Sequence, residues 1–190
     1  MKPLNFIDTM KKGFFIILTA AALLVFAGCN NTQKKRDKAA DKIAAYENSH
    51  DPLGIDYVRN PASADTIIDL YVAFADSYPD DSLAPFCLQK AANVACLVGS
   101  FDKAIELSGR VIDGYRGFEA MDDCMLTQAK AYEFSEQPEE AKAAYQRFIA
   151  EYPNHPLTED LKRTITLLDM GAVTPEEQLA AILAEKENNE

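Results

Sequence analysis

The feature that most constrains this chain is a recurrence every 37 residues. Tyr78, Tyr115 and Tyr152 stand at that step. So do Phe74, Val111 and Phe148; Ile67, Ala104 and Ala141; and Asp65, Asp102, Glu139 and Glu176. Upstream of these, Cys87 matches Cys124, Ala92 matches Ala129, and Leu97 matches Phe134. A fixed period of this length marks a stack of small units, each burying its apolar face on the next. The clearest unit ends in Gln137–Pro156. Pro138 suits a first helical turn, where its missing N–H costs nothing. Glu139 and Glu140 place negative charge at the positive end of that helix. Ala141, Ala144, Tyr145, Phe148 and Ile149 recur at the spacing of one buried helix face. Pro153 and Pro156 stop the helix. Each unit therefore reads as two helices joined by a short turn, and the fold class is all-α.

In chain order, the first clear helix is predicted over Ala64–Ser77, with Ile67, Ile68, Tyr71, Val72, Phe74 and Ala75 apolar. Asp80, Asp81 and Ser82 offer caps for a helix running to about Val98. Gly99-Ser100 turns the chain into a helix from Phe101 to about Tyr115. Helices over Ala120–Phe134 and Pro138–Tyr152 follow, then one from Thr158 to about Met170 with Leu161, Ile165 and Leu168 inward. Thr174-Pro175-Glu176-Glu177 repeats the cap, proline and acid pattern ahead of a closing helix with Leu179, Ile182 and Leu183. Residues 63–186 form the repeat region and 187–190 a frayed tail. Residues 49–62, with Pro52, Gly54 and Pro61, read as a linker, though Gly54–Val58 has the apolar content to lie against the first repeat.

Residues 1–28 have the layout of a targeting segment. Lys2, Lys11 and Lys12 precede an uncharged run from Gly13 to Gly28, shorter than the ~20 residues a spanning helix wants. After Cys29, residues 29–48 read as a tether and a charged helix, with Ala39, Ala40, Ile43, Ala44 and Tyr46 as a modest apolar stripe. Lys34, Lys35, Arg36, Lys38 and Lys42 fit anionic head groups or a solvated helix face equally well. The whole chain carries 19 basic and 30 acidic residues. Loss of residues 1–28 takes three lysines and one aspartate, moving the net charge from −11 to −13. That field repels a polyphosphate, so nucleic acid is excluded as a partner.

Patterns that carry chemistry are mostly missing. Cys87 and Cys96 lie about 13 Å apart along one predicted helix, too far to bridge. Cys87 and Cys124 share a repeat position, so buried free thiols are expected, with a bridge between those two as the alternative. No cysteine pair has zinc spacing. His50 and His155 sit in predicted turns with no patterned nucleophile. Asp80-Asp81 and Asp122-Asp123 fall near helix starts, where capping explains them, and lack the spaced ligands of a calcium loop. No glycine-rich phosphate loop is present. No catalytic residue, metal ligand or cofactor is expected, and the chain reads as a non-enzyme.

These positions resemble the tetratricopeptide repeat. The family's small and aromatic positions fall on Ala92, Ala104 and Val111 in one unit, and on Ala129, Tyr132, Ala141, Tyr145, Phe148 and Pro153 in the next. The usual repeat is about 34 residues, so each link here is longer. Leu88 and Met125 stand in place of the family tryptophan. The resemblance implies antiparallel hairpins stacked as a short right-handed solenoid. It also implies that the inner face of each first helix holds a protein partner. By position that face comprises Phe86, Gln89, Asn93, Leu126, Lys130, Glu133 and Arg163.

Val25-Phe26-Ala27-Gly28-Cys29 resembles a bacterial lipobox, which implies lipidation of Cys29 as the new N-terminus. With the Tyr-Pro links, it makes the chain similar to the lipoprotein subunit of the outer-membrane β-barrel assembly machinery. It is similar also to the repeat domain of the Tol–Pal coordinator. Both are scaffolds of the Gram-negative envelope. Asn30 after the cysteine fits outer-membrane sorting in that family. The resemblance implies a scaffold facing the periplasm, held by its lipid and binding envelope proteins. A carrier for a glycan or peptide fragment is the alternative.

Overall fold

A computed structural model describes residues 31–50 and 55–188, and all regular structure among them is helical. Residues 31–48 form α1. It is followed by α2 (Ile55–Arg59), α3 (Pro61–Ser77), α4 (Ala84–Leu97) and α5 (Phe101–Gly114). Then come α6 (Met121–Phe134), α7 (Pro138–Glu151), α8 (Thr158–Asp169) and α9 (Pro175–Asn188). Two compact units divide the chain at Lys42/Ile43. In the first, the described residues 31–42 are helical and mostly exposed. The second, 43–190, holds the repeats. No helix among the described residues is long and apolar enough to cross a membrane.

Two kinds of connection build the array, each used three times. Where α3, α5 and α7 end, a tyrosine leaves the helix with φ of −137°, −123° and −124°. Its N–H still bonds the last turn: Tyr78 to Phe74, Tyr115 to Val111 and Tyr152 to Phe148, at 2.9, 3.0 and 2.8 Å. Three residues on, the N–H groups of Asp81, Phe118 and His155 return to those tyrosine carbonyls at 3.0 to 3.1 Å. Tyr78 and Tyr152 also lay their rings on Phe74 and Phe148, with centroids 5.2 Å apart in both cases.

The ends of α4, α6 and α8 use the other connection, a left-handed residue at Gly99, Glu136 and Gly171 with φ of +77°, +58° and +82°. The next N–H then bonds five residues back: Ser100 to Ala95, Gln137 to Tyr132 and Ala172 to Leu167, at 2.8, 2.9 and 3.0 Å. This pairing satisfies carbonyls that a helix end leaves bare. Glycine enters such a conformation freely, whereas Glu136 must tolerate it. In the last unit α8 has 12 residues against 14 in α6. Val173-Thr174 restores the length, and Pro175 again stands 37 residues after Pro138.

The core lies between consecutive helices. Tyr145, Phe74, Phe148, Ile67, Ile68, Leu88 and Met125 are among its largest fully buried side chains. Ala84, Ala91, Ala95, Ala104, Ala129 and Ala141 are wholly buried, and their small size lets neighbouring helices close on one another. Cys87 and Cys124 are buried free thiols and Cys96 is half-buried. Burial, with Asp123 and Asp122 nearby, pushes the Cys124 thiol up to about 12, so it stays protonated and inert.

Three expectations change. Residues 55–59 of the expected linker are helical, and α3 begins at Pro61 rather than Ala64. Pro61 starts a helix there instead of spacing one. Tyr57 is buried and stacks on His50, centroids 5.4 Å apart, while His50 stacks on Tyr46 at 4.3 Å. At the start of α4, Leu83 takes the cap position with no side-chain cap. Asp81 works two residues outside, accepting the Leu83 N–H at 2.9 Å. Residues 1–30, including the targeting segment and Cys29, lie outside the described residues, as do 51–54 and 189–190.

Candidate functional site

The candidate surface is built by α4 and α6, the first helices of two successive units. They meet through pairs 34 residues apart. Asn93 Oδ1 accepts the Thr127 hydroxyl at 2.7 Å, and Gln89 Nε2 donates to Asp123 Oδ2 at 3.4 Å. On the second helices Arg110 crosses the same interval to Asp76. A step of one repeat less one helical turn therefore identifies cross-unit partners. That signal was available in the sequence and would have added Thr127 and Asp123 to the surface.

The seven expected partner-binding residues separate into three groups. Asn93 and Lys130 are exposed beside each other's helices, and Lys130 has no hydrogen bond or ion pair among the described residues. Phe86 is half-buried, edge-on to Phe118 at 4.7 Å. These three remain available at the surface. Gln89 is 8% exposed and Leu126 7%, the latter within the core cluster with Met125, Tyr145 and Phe148. Both face the packing between helices, so they support the face rather than form it. Glu133 accepts the Tyr145 hydroxyl and, at 2.7 Å, the Gln178 amide from α9, so internal donors already engage it. Arg163 is exposed on α8, 3.6 Å from Asp160 of its own helix.

Two polar constellations at the hairpin interfaces were not foreseen. Glu47 accepts the buried Tyr71 hydroxyl and, at 2.6 Å, the Lys90 ammonium. Burial alone would raise the Glu47 carboxyl; the bonds from Lys90 and Tyr71 outweigh it and hold the group below its ordinary range. Tyr71 and Tyr145 stand two repeats apart, and each gives its hydroxyl to a glutamate, Glu47 and Glu133. Burial first, then the glutamate, pushes both phenols well above the usual range. They remain neutral donors, which is what a buried hydroxyl beside a carboxylate requires. Burial also raises the Cys96 thiol, with Lys130 opposing it.

Among the described residues no group of histidine, cysteine and carboxylate side chains could hold a metal ion. His155 is spent on structure. Its ring sits edge-on to Phe148 at 5.0 Å, and its Nδ1 accepts the Leu157 N–H at 3.2 Å. The surface offers contact area and hydrogen bonds, not a nucleophile and base.

No curated protein and no solved structure matches the chain. The family model that does match it is the tetratricopeptide repeat, over residues 123–155, which is the α6–α7 hairpin with its following turn; repeats of that family are protein-interaction modules rather than catalytic ones.

Proposed function

We propose that this chain is a lipid-anchored scaffold of the bacterial envelope. It binds protein partners on the face formed by α4 and α6, with Asn93, Thr127 and Lys130 at its centre. The observation that carries this reading is Lys130: an exposed cation, left without an internal partner among the described residues, on a face whose other polar groups are fixed by cross-helix bonds. Cys29 is the attachment point, the outer membrane the destination and the periplasm the compartment. Support for these is the lipobox-like Val25–Cys29 and Asn30. More than one acyl chain gives stable attachment.

Two measurements test the parts separately. Detergent-phase partitioning is expected to place the wild-type chain in the detergent phase and Cys29→Ala, uncleaved or cleaved, in a different distribution. An unchanged distribution removes the anchor. Crosslinking in intact cells followed by purification is expected to recover defined envelope proteins with the wild type. Lys130→Glu should recover clearly less of them while melting within about 0.5 kcal/mol of the wild type, as surface substitutions do. Equal recovery with the variant removes Lys130 from the site.

A further inference from the structure

One helical segment runs against the charge of the rest of the chain. Residues 31–42 carry five basic and two acidic residues, a net of +3, whereas residues 43–190 carry 11 and 27, a net of −16. The segment 31–42 is helical throughout. At about 100° per residue, Lys38, Lys42 and Lys35 follow Lys34 round the axis within an arc of about 100°. All four lysines are exposed, and none has a hydrogen bond or ion pair among the described residues. Arg36 lies about 100° beyond Lys35; it is half-buried and pairs with Asp37 at 3.3 Å. Asp37 also accepts the Gln33 amide at 2.9 Å, so its own neighbours engage it. Both acids of the segment, Asp37 and Asp41, fall outside the lysine arc.

Like charges at four-residue spacing destabilise a helix. Lys34, Lys38 and Lys42 stand at that spacing, so they work against the helix until an anion faces them. Their place in the chain supplies one. Lys34 comes five residues after Cys29, the attachment point of the lipid-anchored reading. However those residues run, they reach at most about 18 Å. Lys42 is eight residues further along the helix, about 12 Å. A chain held at Cys29 thus keeps the whole row within about 30 Å of the bilayer surface. A tethered site meets its partner at high effective concentration.

We propose that the row Lys34, Lys35, Lys38 and Lys42 docks on anionic lipid head groups. The proposal rests on the lipid-anchored reading and adds a second, electrostatic contact beside the acyl chains. Each lysine near an anionic leaflet strengthens partition about fivefold. The same surface repels residues 43–190, whose net charge is −16. Charge therefore decides which part of the chain meets the membrane, and it leaves the repeats to protein partners. A free phosphate offers the same chemistry, but no tether holds it beside the row.

The test uses the full chain, isolated in detergent from cells that make it. It is reconstituted into vesicles of phosphatidylcholine, alone or with about one third phosphatidylglycerol. A water-soluble amine reagent, read at each lysine by mass spectrometry, reports exposure. Lys34, Lys35, Lys38 and Lys42 should label at least about threefold more slowly on the anionic vesicles, while Lys103 and Lys162 keep their rates. Raising the salt to about 1 M shortens the screening length to about 3 Å and should restore the rates. Lys38→Glu with Lys42→Glu should remove the protection of Lys34 and Lys35, and arginine at the same two positions should keep it. Equal rates on the two kinds of vesicle overturn the proposal. So does an equal loss with Lys103→Glu and Lys162→Glu, which would mean diffuse attraction. Protection by inorganic phosphate on phosphatidylcholine vesicles also overturns it, because the ligand would then be a free anion. Flotation with phosphatidylcholine vesicles reads the anchor separately. A chain that floats there, yet shows unprotected lysines on anionic vesicles, keeps the anchor and loses the row. A chain that floats only with anionic vesicles, its lysines protected, loses the anchor and keeps the row.

Discussion

The hairpins α6–α7 and α8–α9 begin from matching sequence and end differently. Pro138 and Pro175 both open their second helices, each followed by two glutamates. In α7 the buried positions are Ala141, Tyr145 and Phe148. One repeat on, the sequence of α9 offers Gln178, Ile182 and Glu185. The aromatic pair is gone, a charge stands at the step of Phe148, and Leu179 and Leu183 stay 58% and 51% exposed. Local signals alone were enough to make the same helix twice. Leu179 and Leu183 are large enough to be buried, but among the described residues no following unit receives them. One tie of α9 to the rest is polar, with Gln178 bonded to Glu133.

The largest effect expected from this contrast is at Phe148. It is fully buried, holds Tyr152 on one side and His155 on another, and sits in the cluster shared by α6, α7 and α8. Phe148→Ala should cost about 3–5 kcal/mol in chemical denaturation, as a cavity in a packed core. Leu183→Ala, on the exposed helix, should stay within about 0.5 kcal/mol. Comparable losses at the two positions would show that α9 buries its face after all.

A smaller change sharpens the comparison at the turns. Gly99, Glu136 and Gly171 occupy the same left-handed position, and the glutamate alone carries a side chain there. Glu136→Gly should stabilise the protein by up to about 1 kcal/mol, by relieving a strain of that order. Gly171→Ala should destabilise it by a similar amount. A thermal melt in which Glu136→Gly lowers the midpoint would mean the Glu136 side chain contributes more than its backbone costs.

These cases also divide what was legible beforehand from what was not. The tyrosine at each second-helix end, the proline starts and the small-residue contacts all sit at one fixed step, so sequence periodicity exposed them. Gln89 and Leu126 escaped, because which flank of a first helix is covered by its neighbours depends on how the helices pack, and the 37-residue step alone does not give that. α2 escaped because Pro52, Gly54 and Pro61 read as breakers, while the stacking of Tyr46, His50 and Tyr57 that accompanies it is a tertiary contact. The shortening of α8 was hidden by its own compensation: Val173-Thr174 restores the 37-residue step, so the period looks unbroken.

The smallest expected effect concerns how α9 is started. Glu177 Oε2 accepts the N–H groups of Val173 and Thr174 at 2.9 Å each, and its own N–H bonds the Thr174 hydroxyl at 3.2 Å. This reciprocal pairing satisfies donors that a helix start leaves bare. The backbone bonds from Thr174 and Val173 hold the Glu177 carboxyl below its ordinary value. A carboxyl depressed in the folded state stabilises that state fully above its unfolded value and loses the contribution as pH falls through the folded one. Acidification from neutral should therefore leave α9 intact through the ordinary glutamate range and loosen its first turn only below it. Amide signals of Val173 and Thr174, followed against pH, should titrate together with a midpoint under that of an unperturbed glutamate. The reporting amides in α7, whose first turn has no such side-chain cap, should show no matching step. A midpoint at or above the ordinary value would mean the cap does not form in solution.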